Sequence, residues 1–209
     1  MTTTTVLFIR HGQTDWNVAR RWQGQVDIPL NATGRWQAQV VARRLQRWRL
    51  SALYSSDLCR AADTATIIGA AIELPVHTAA AWRERHGGIF QGYTNAERQK
   101  RFPEEAARFA ANDALAPPEG ESAAELRARA WDAFESLLLR HNGETIGVVS
   151  HGGTIMAVVS HVLGLPATVR PRLSLRGNTG LTVVEQRSTR LTLTLLNDIA
   201  HLEGAASAA

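Results

Sequence analysis

Two short apolar runs, each breaking off into a histidine followed by glycine, constrain this chain more than any other feature. Val6-Leu-Phe-Ile9 gives way at once to Arg10-His11-Gly12, and Ile146-Gly-Val-Val149 opens into Ser150-His151-Gly152-Gly153. Short apolar runs bounded by polar residues and glycine read as strands buried on both faces. Such strands belong to a parallel sheet covered by helices on either side. Leu53-Tyr54 leads in the same way into Ser55-Ser56-Asp57. Between these runs the apolar spacing predicts helices over roughly 34–48, 60–72, 94–110, 122–141 and 153–163. Thr94-Asn-Ala-Glu97 and Ser122-Ala-Ala-Glu125 have the form of capping boxes, and Pro103 is expected to break or re-cap the helix that contains it.

Strands separated by helices of this length imply crossover connections, hence an α/β chain folded as a three-layer α/β/α sandwich around a mainly parallel sheet. Leu181-Thr-Val-Val184 and Leu191-Thr-Leu-Thr-Leu195 flank a turn-like Gln186-Arg-Ser-Thr189, which predicts a hairpin and one antiparallel edge. No repeat or linker divides the 209 residues, so 1–209 reads as a single domain. The segment over roughly 83–120, rich in Gly and Pro at its ends, reads as an excursion that roofs a site. The tail beyond Glu203, only Gly, Ala and Ser, is expected to fray.

The charge balance excludes several functions. A net charge of +4 is mild, and every basic residue except Lys100 is arginine. Neither a long basic run nor aromatics interleaved with cations is present, so nucleic-acid binding is not expected. Arg43, Arg44, Arg47 and Arg49 have helical spacing and read as a solvated helix face. Lys100 is followed by Arg101, so there is no Gly-Lys-Ser/Thr phosphate loop. Cys59 is the only cysteine, which excludes an internal disulfide framework and fits a reducing cytoplasm. No stretch approaches the ~18 apolar residues of a membrane span, and Met1 followed by four threonines lacks a secretory leader's pattern. A cytoplasmic protein without a membrane partner is expected.

In open α/β sheets, ligands sit beyond the carboxyl ends of the strands. A single histidine there reads as a loop or capping residue. Two placed alike, each beside glycine, point to one shared pocket. Arg10, Asn17 and Arg60 add three donors that suit convergence on one anion, and guanidinium forks match phosphate oxygens. Glu84, before Gly87-Gly88, supplies a carboxylate suited to general acid chemistry, although alone it would read as half of a surface ion pair.

Rival chemistries find less in the sequence. Cys59 beside Arg60 evokes a cysteine phosphatase loop, but its arginine would fall at position 65, which is Ala65. There is no H-E-x-x-H and no G-x-S-x-G. His77, His86, His141, His161 and His201 lack metal-ligand spacing and read as structural or exposed, so no metal site is expected.

Arg10-His11-Gly12-Gln13-Thr14-Asp15-Trp16-Asn17 matches the R-H-G-x-T-x-x-N signature, and with it the chain resembles the histidine phosphatase superfamily, which includes phosphoglycerate mutases. Arg21-Trp-Gln-Gly24 with Asp27-Ile-Pro-Leu30, Ser55 to Arg60 with Thr64, Glu84 to Gly88, Gly120-Glu-Ser122 and Ser150 to Gly153 extend the resemblance in family order over residues 5–195. It implies a phosphoglycerate mutase-like fold, His11 as the phosphorylated nucleophile and Glu84 as the proton donor. Arg10, Arg60 and His151 then form the phosphate pocket, with Asn17, Gln23, Gly24 and Gly152 completing it. His11 is expected neutral, and His151 charged when it faces a phosphate dianion.

Mutases and phosphatases share the phosphohistidine, so the substrate loops decide between them. Where mutases similar to this chain carry a tyrosine, a lysine and paired arginines, the sequence has Gly87, Asn95 and Ala110-Ala111. Gln23 replaces their Ser or Thr. Loss of those anion-gripping groups favours a phosphatase acting on a small phosphorylated metabolite without a cofactor. The alternatives are a 2,3-bisphosphoglycerate-dependent mutase, with Arg98 and Arg101 as substitute grips, and a non-catalytic phosphate-binding module. The sequence leaves open whether the chain forms a homodimer.

Overall fold

The computed structural model describes residues 2–167 and 173–203. Six strands form one sheet: β1 (Thr3–Arg10), β2 (Ala52–Ser55), β3 (Val76–Thr78), β4 (Thr145–Ser150), β5 (Leu181–Arg187) and β6 (Arg190–Asp198), in the order β3-β2-β4-β1-β5-β6. The first four are mutually parallel, while β5 runs antiparallel to β1 and β6 antiparallel to β5. This is the sandwich and the antiparallel edge read from the sequence; the tail expected to fray lies outside the described residues.

Alternation along β1 explains the layers. Val6 and Phe8 join the cluster formed with α6 (Ala123–Arg140) and α7 (Gly152–Val162). Leu7 and Ile9 point the other way, into the cluster with α2 (Ala32–Leu45) and α3 (Cys59–Ile72). All four side chains are fully buried, so each contributes on the order of 1.5–3 kcal/mol by leaving water.

The helix expected over 94–110 is two helices, α4 (Asn95–Arg101) and α5 (Pro103–Ala111). Phe102, at φ −134° and ψ 62°, ends one and begins the other, because the residue before proline is forced out of helical geometry. Both capping boxes are formed, Thr94 with Glu97 and Ser122 with Glu125. Thr14 and Asn17 form a third around the short helix α1 (Asp15–Val18). A last turn, α8 (Ala200–Glu203), follows β6. Arg43, Arg47 and Arg49 are exposed as expected, whereas Arg44 pairs with Asp198.

Candidate active site

The parallel register assembles the site. Arg10 is paired with Ser150 across β1 and β4, and Ser55 with Val149 across β2 and β4. The next residue on each strand therefore emerges at the same carboxyl edge: His11, His151 and Ser56. The His11 amide donates to the Ser150 carbonyl at 2.9 Å and the Ser56 amide to Val149 at 2.9 Å, so pairing continues to the point where the chains diverge. The His11 and His151 rings end up 5.1 Å apart between centroids, both buried.

Each imidazole is fixed by one nitrogen. His11 Nδ1 donates to the Gly12 carbonyl at 2.7 Å, which leaves Nε2 as the unprotonated nitrogen of the neutral ring. His151 engages through the other atom, with Nε2 2.9 Å from Ser56 Oγ. Ser56 Oγ also accepts from the Leu58 amide, and donation of its own proton to His151 Nε2 is the arrangement that gives that proton an acceptor. That tautomer leaves a proton on His151 Nδ1, a buried nitrogen with no partner among the described residues.

The guanidiniums of Arg10 and Arg60 are held from behind. Arg10 Nη1 donates to the carbonyls of Leu175 and Gly177, and fully buried Arg60 donates through Nη1 and Nη2 to Val26 and Gly24. In both, Nε is buried without a partner among the described residues. Burial lowers the pKa of each guanidinium, opposed by Glu84, yet an arginine stays charged at any ordinary pH. Burial first, then Arg60 and Arg10, push His11 well below the usual imidazole range and keep it neutral. His151 is held well down by burial, Arg60, His11 and Arg10. The charged His151 expected opposite a dianion is thus opposed by every protein group around it, and only a bound anion supplies the opposite push.

Glu84 is placed by backbone. Its Oε2 accepts from the Gly153 amide at 2.9 Å and its Oε1 from the Arg85 amide at 2.8 Å. Glycine at 153 permits this approach, since a Cβ there would stand 2.3 Å from Glu84 Oε1. Gly152, first residue of α7, lies beside Arg10, where an added Cβ would be 3.7 Å from Nε.

The other expected phosphate-binding residues hold different positions. Asn17 Oδ1 accepts from the Thr14 amide and hydroxyl and from Asn178 Nδ2, so its NH2 group is the end left for a ligand. Gly24 serves through its carbonyl on Arg60, and Gln23 is buried with no partner for Oε1 among the described residues. Sequence reasoning missed the roles of Ser56 and Asn178 and quoted Thr64 without one. Thr64 Oγ1 accepts from the Gly12 amide and donates to the Arg60 carbonyl, tying the His11 loop to α3. Asn178 Nδ2 donates to the His11 carbonyl at 2.9 Å from the loop before β5. The signal available for Asn178 was a polar residue beside Gly177 and Gly180 directly ahead of a strand.

Burial and Asp27 push the Cys59 thiol up to about 12, which disfavours the thiolate that a cysteine phosphatase needs. Among the described residues, no three His, Cys, Asp or Glu side chains are grouped to hold a metal ion. No helix there is long and apolar enough to cross a membrane.

Known proteins resemble this chain along almost its whole length. Residues 6–199 match the profile of the histidine phosphatase superfamily (branch 1). The chain is 38% identical to phosphoglycerate mutase-like protein 4 of Arabidopsis thaliana, over 95% of this chain and 86% of that one. It is 36% identical to a metal-independent phosphoserine phosphatase of the same plant, over 95% and 83% of the two chains. A solved mycobacterial glucosyl-3-phosphoglycerate phosphatase superposes with a TM-score of 0.85 at 32% identity, over 93% of this chain and 99% of that one. With two buried histidines, a fully buried and a half-buried arginine and a backbone-held glutamate at one sheet edge, and with this likeness end to end, the chain belongs to the histidine phosphatase superfamily.

Proposed function

We propose that the protein hydrolyses the phosphomonoester of a small metabolite through a phosphohistidine at His11. The observation that carries this reading is the set of buried nitrogens around that ring, Arg10 Nε, Arg60 Nε and His151 Nδ1, none with a partner among the described residues. Buried donors left unpaired cost about 1–3 kcal/mol each, and a phosphoryl group with three oxygens is the ligand that satisfies them together.

The steps follow from the atoms available. His11 Nε2 attacks phosphorus while the guanidiniums and the His151 N–H take up charge on the equatorial oxygens. Glu84 gives its proton to the departing alkoxide. It then accepts one from the water that attacks phosphohistidine, which releases inorganic phosphate and restores neutral His11. No metal or organic cofactor enters this sequence.

Hydrolysis is favoured over transfer to a second phosphorylated acceptor by the groups lining the excursion. A Cβ at Gly87 would stand 3.0 Å from Gln91 Cγ and 3.1 Å from Trp22, so position 87 carries no tyrosine and is tight for a side chain of any size. Arg98 lies over the rings of Trp22 and Phe90, and Arg101 over Tyr93 and Phe102, so both are committed to the aromatic cluster of the roof. Both features speak against a bisphosphate cofactor. The relatives' names point to phosphoserine and glucosyl-3-phosphoglycerate as the first substrates to try. Cys59, unpaired, accords with a reducing cytoplasm.

The test is a panel of phosphomonoesters assayed with EDTA, with vanadate, and with or without 2,3-bisphosphoglycerate. Activity that survives EDTA, falls with vanadate and forms an acid-labile phosphoenzyme lost in His11→Ala is expected. Bisphosphoglycerate-stimulated interconversion of 2- and 3-phosphoglycerate, with negligible phosphate release, would move the chain to the mutase side.

A further inference from the structure

The segment carrying Glu84 has little regular structure of its own: a single 3-10 turn, Ala80–Trp82, precedes it and another, Gly88–Phe90, follows. Its carbonyls are gathered from outside. Arg129, in the middle of α6, donates through Nη1 to Ala81 at 2.8 Å and to Arg83 at 2.9 Å, and its Nη2 reaches the Glu84 carbonyl at 3.5 Å. Its remaining donors meet Glu121 in a two-point pair, Nε to Oε1 at 3.0 Å and Nη2 to Oε2 at 2.8 Å. Glu121 holds the far side of the same segment. Its Oε2 accepts from the His86 amide, its amide donates to the His86 carbonyl, and its carbonyl accepts from Arg85 Nε.

We propose that Arg129 is a positioning residue for Glu84, a guanidinium clamp that, with Glu121, sets where the acid's carboxylate meets the leaving oxygen. The inference rests on the acid role proposed above. Three features point beyond simple packing. The carbonyls grasped are those of residues 81, 83 and 84, leading directly to the acid. The ion pair spans the chain on both sides of it. The contact also demands a planar fork, because one guanidinium serves three carbonyls and a carboxylate at once. A lysine ammonium, with three donors around one point, cannot span that set. Other donors fix the neighbouring atoms, Ser150 Oγ on Trp82, Thr154 Oγ1 on Arg83 and Gln25 Nε2 on the Glu84 carbonyl at 3.0 Å, so loss of Arg129 leaves the segment attached but less closely set around Glu84.

The experiment compares Arg129→Ala and Arg129→Lys with Glu84→Gln on p-nitrophenyl phosphate, whose leaving group needs no proton, and on an alkyl phosphate, whose alkoxide does. Glu84→Gln is the reference and should lose on the order of 10²-fold on the alkyl ester and much less on the aryl one. Both Arg129 variants should reproduce that split in kcat, more mildly, about tenfold or more on the alkyl ester. Vanadate affinity should change by less than about threefold, since the phosphate donors are untouched. An equal loss on both esters, or no loss, in a folded Arg129 variant while Glu84→Gln shows the split overturns the clamp. No split in Glu84→Gln overturns the acid role itself, and the clamp falls with it. If Arg129→Ala does not fold, Arg129→Lys and Glu121→Gln carry the same comparison.

Discussion

His11 and His151 sit 5.1 Å apart with opposite nitrogens committed, Nδ1 of the first to a backbone carbonyl and Nε2 of the second to a serine hydroxyl. The two rings are therefore complementary: one offers a lone pair to the space between the arginines, the other a proton.

Ser56→Ala tests that complementarity. Without the hydroxyl, His151 Nε2 has no reason to remain the acceptor, and the donor on Nδ1 is no longer fixed. Vanadate and phosphate should bind about tenfold more weakly, the worth of one hydrogen bond to a charged group. Nitrogen shifts of labelled histidine should show His151 leaving the Nδ1–H tautomer, and Ser56→Thr should restore both. Unchanged shifts would remove Ser56 from this role.

Gly153→Ala separates stability from chemistry. Alanine suits a helix better than glycine, and this offsets the amide hydrogen bonds that Glu84 gives up, so the melting temperature should change little. The new methyl occupies the place of Glu84 Oε1 and swings the carboxylate away. Hydrolysis of alkyl phosphates should fall about tenfold or more while vanadate binding persists, read by kinetics beside thermal melting.

Asn178 braces the nucleophile through its carbonyl. Asn178→Ala should cost about 1–3 kcal/mol in denaturant unfolding and slow phosphoenzyme formation in single-turnover assays. Asn178→Asp should be worse than alanine, because an oxygen would then face the His11 carbonyl and Asn17 Oδ1, two acceptors. An aspartate variant as stable as the wild type would contradict the hydrogen bonds assigned here.

Stability should fall in mild acid. His11 and His151 are held well below the ordinary imidazole range, chiefly by burial, and burial and Arg44 bring His201 to about 4. A histidine whose folded pKa is depressed binds its proton more readily when unfolded. Its contribution is thus present above the unfolded value of about 6.5 and is lost as pH drops below it. Melting temperature should decline from about pH 7 to pH 5, with a shallower slope in His151→Asn. A flat profile would mean that these rings titrate normally.

Much of this was legible because the motifs sit where strands end. The runs ending at Ile9 and Val149 announce themselves by burial on both faces, and the residues after them had to share an edge once those strands were parallel neighbours. What stayed hidden acts across long separations or through backbone. Asn178 meets His11 over 167 residues, and Arg129 reaches the Glu84 segment only through backbone carbonyls, which carry no trace in side-chain type. β3 was not read as a strand, because Val76-His77-Thr78 is three residues long and only half-buried or exposed. The turn at Asp15–Val18 escaped because its capping partner is Asn17 rather than Glu or Gln.

The central strand has a consequence for how the protein is made. β1 leaves the ribosome first, yet its two neighbours are β4, at residues 145–150, and β5, at 181–187. Until residues 145–150 are made the segment ending in His11 has neither flanking strand, and the Asn178 brace arrives later still, just ahead of β5. Everything from β1 through β5 must emerge before the nucleophile is seated, so folding waits on distant contacts, which slow it. A nascent chain halted before β4 would hold the histidine motif complete in sequence and inert in chemistry.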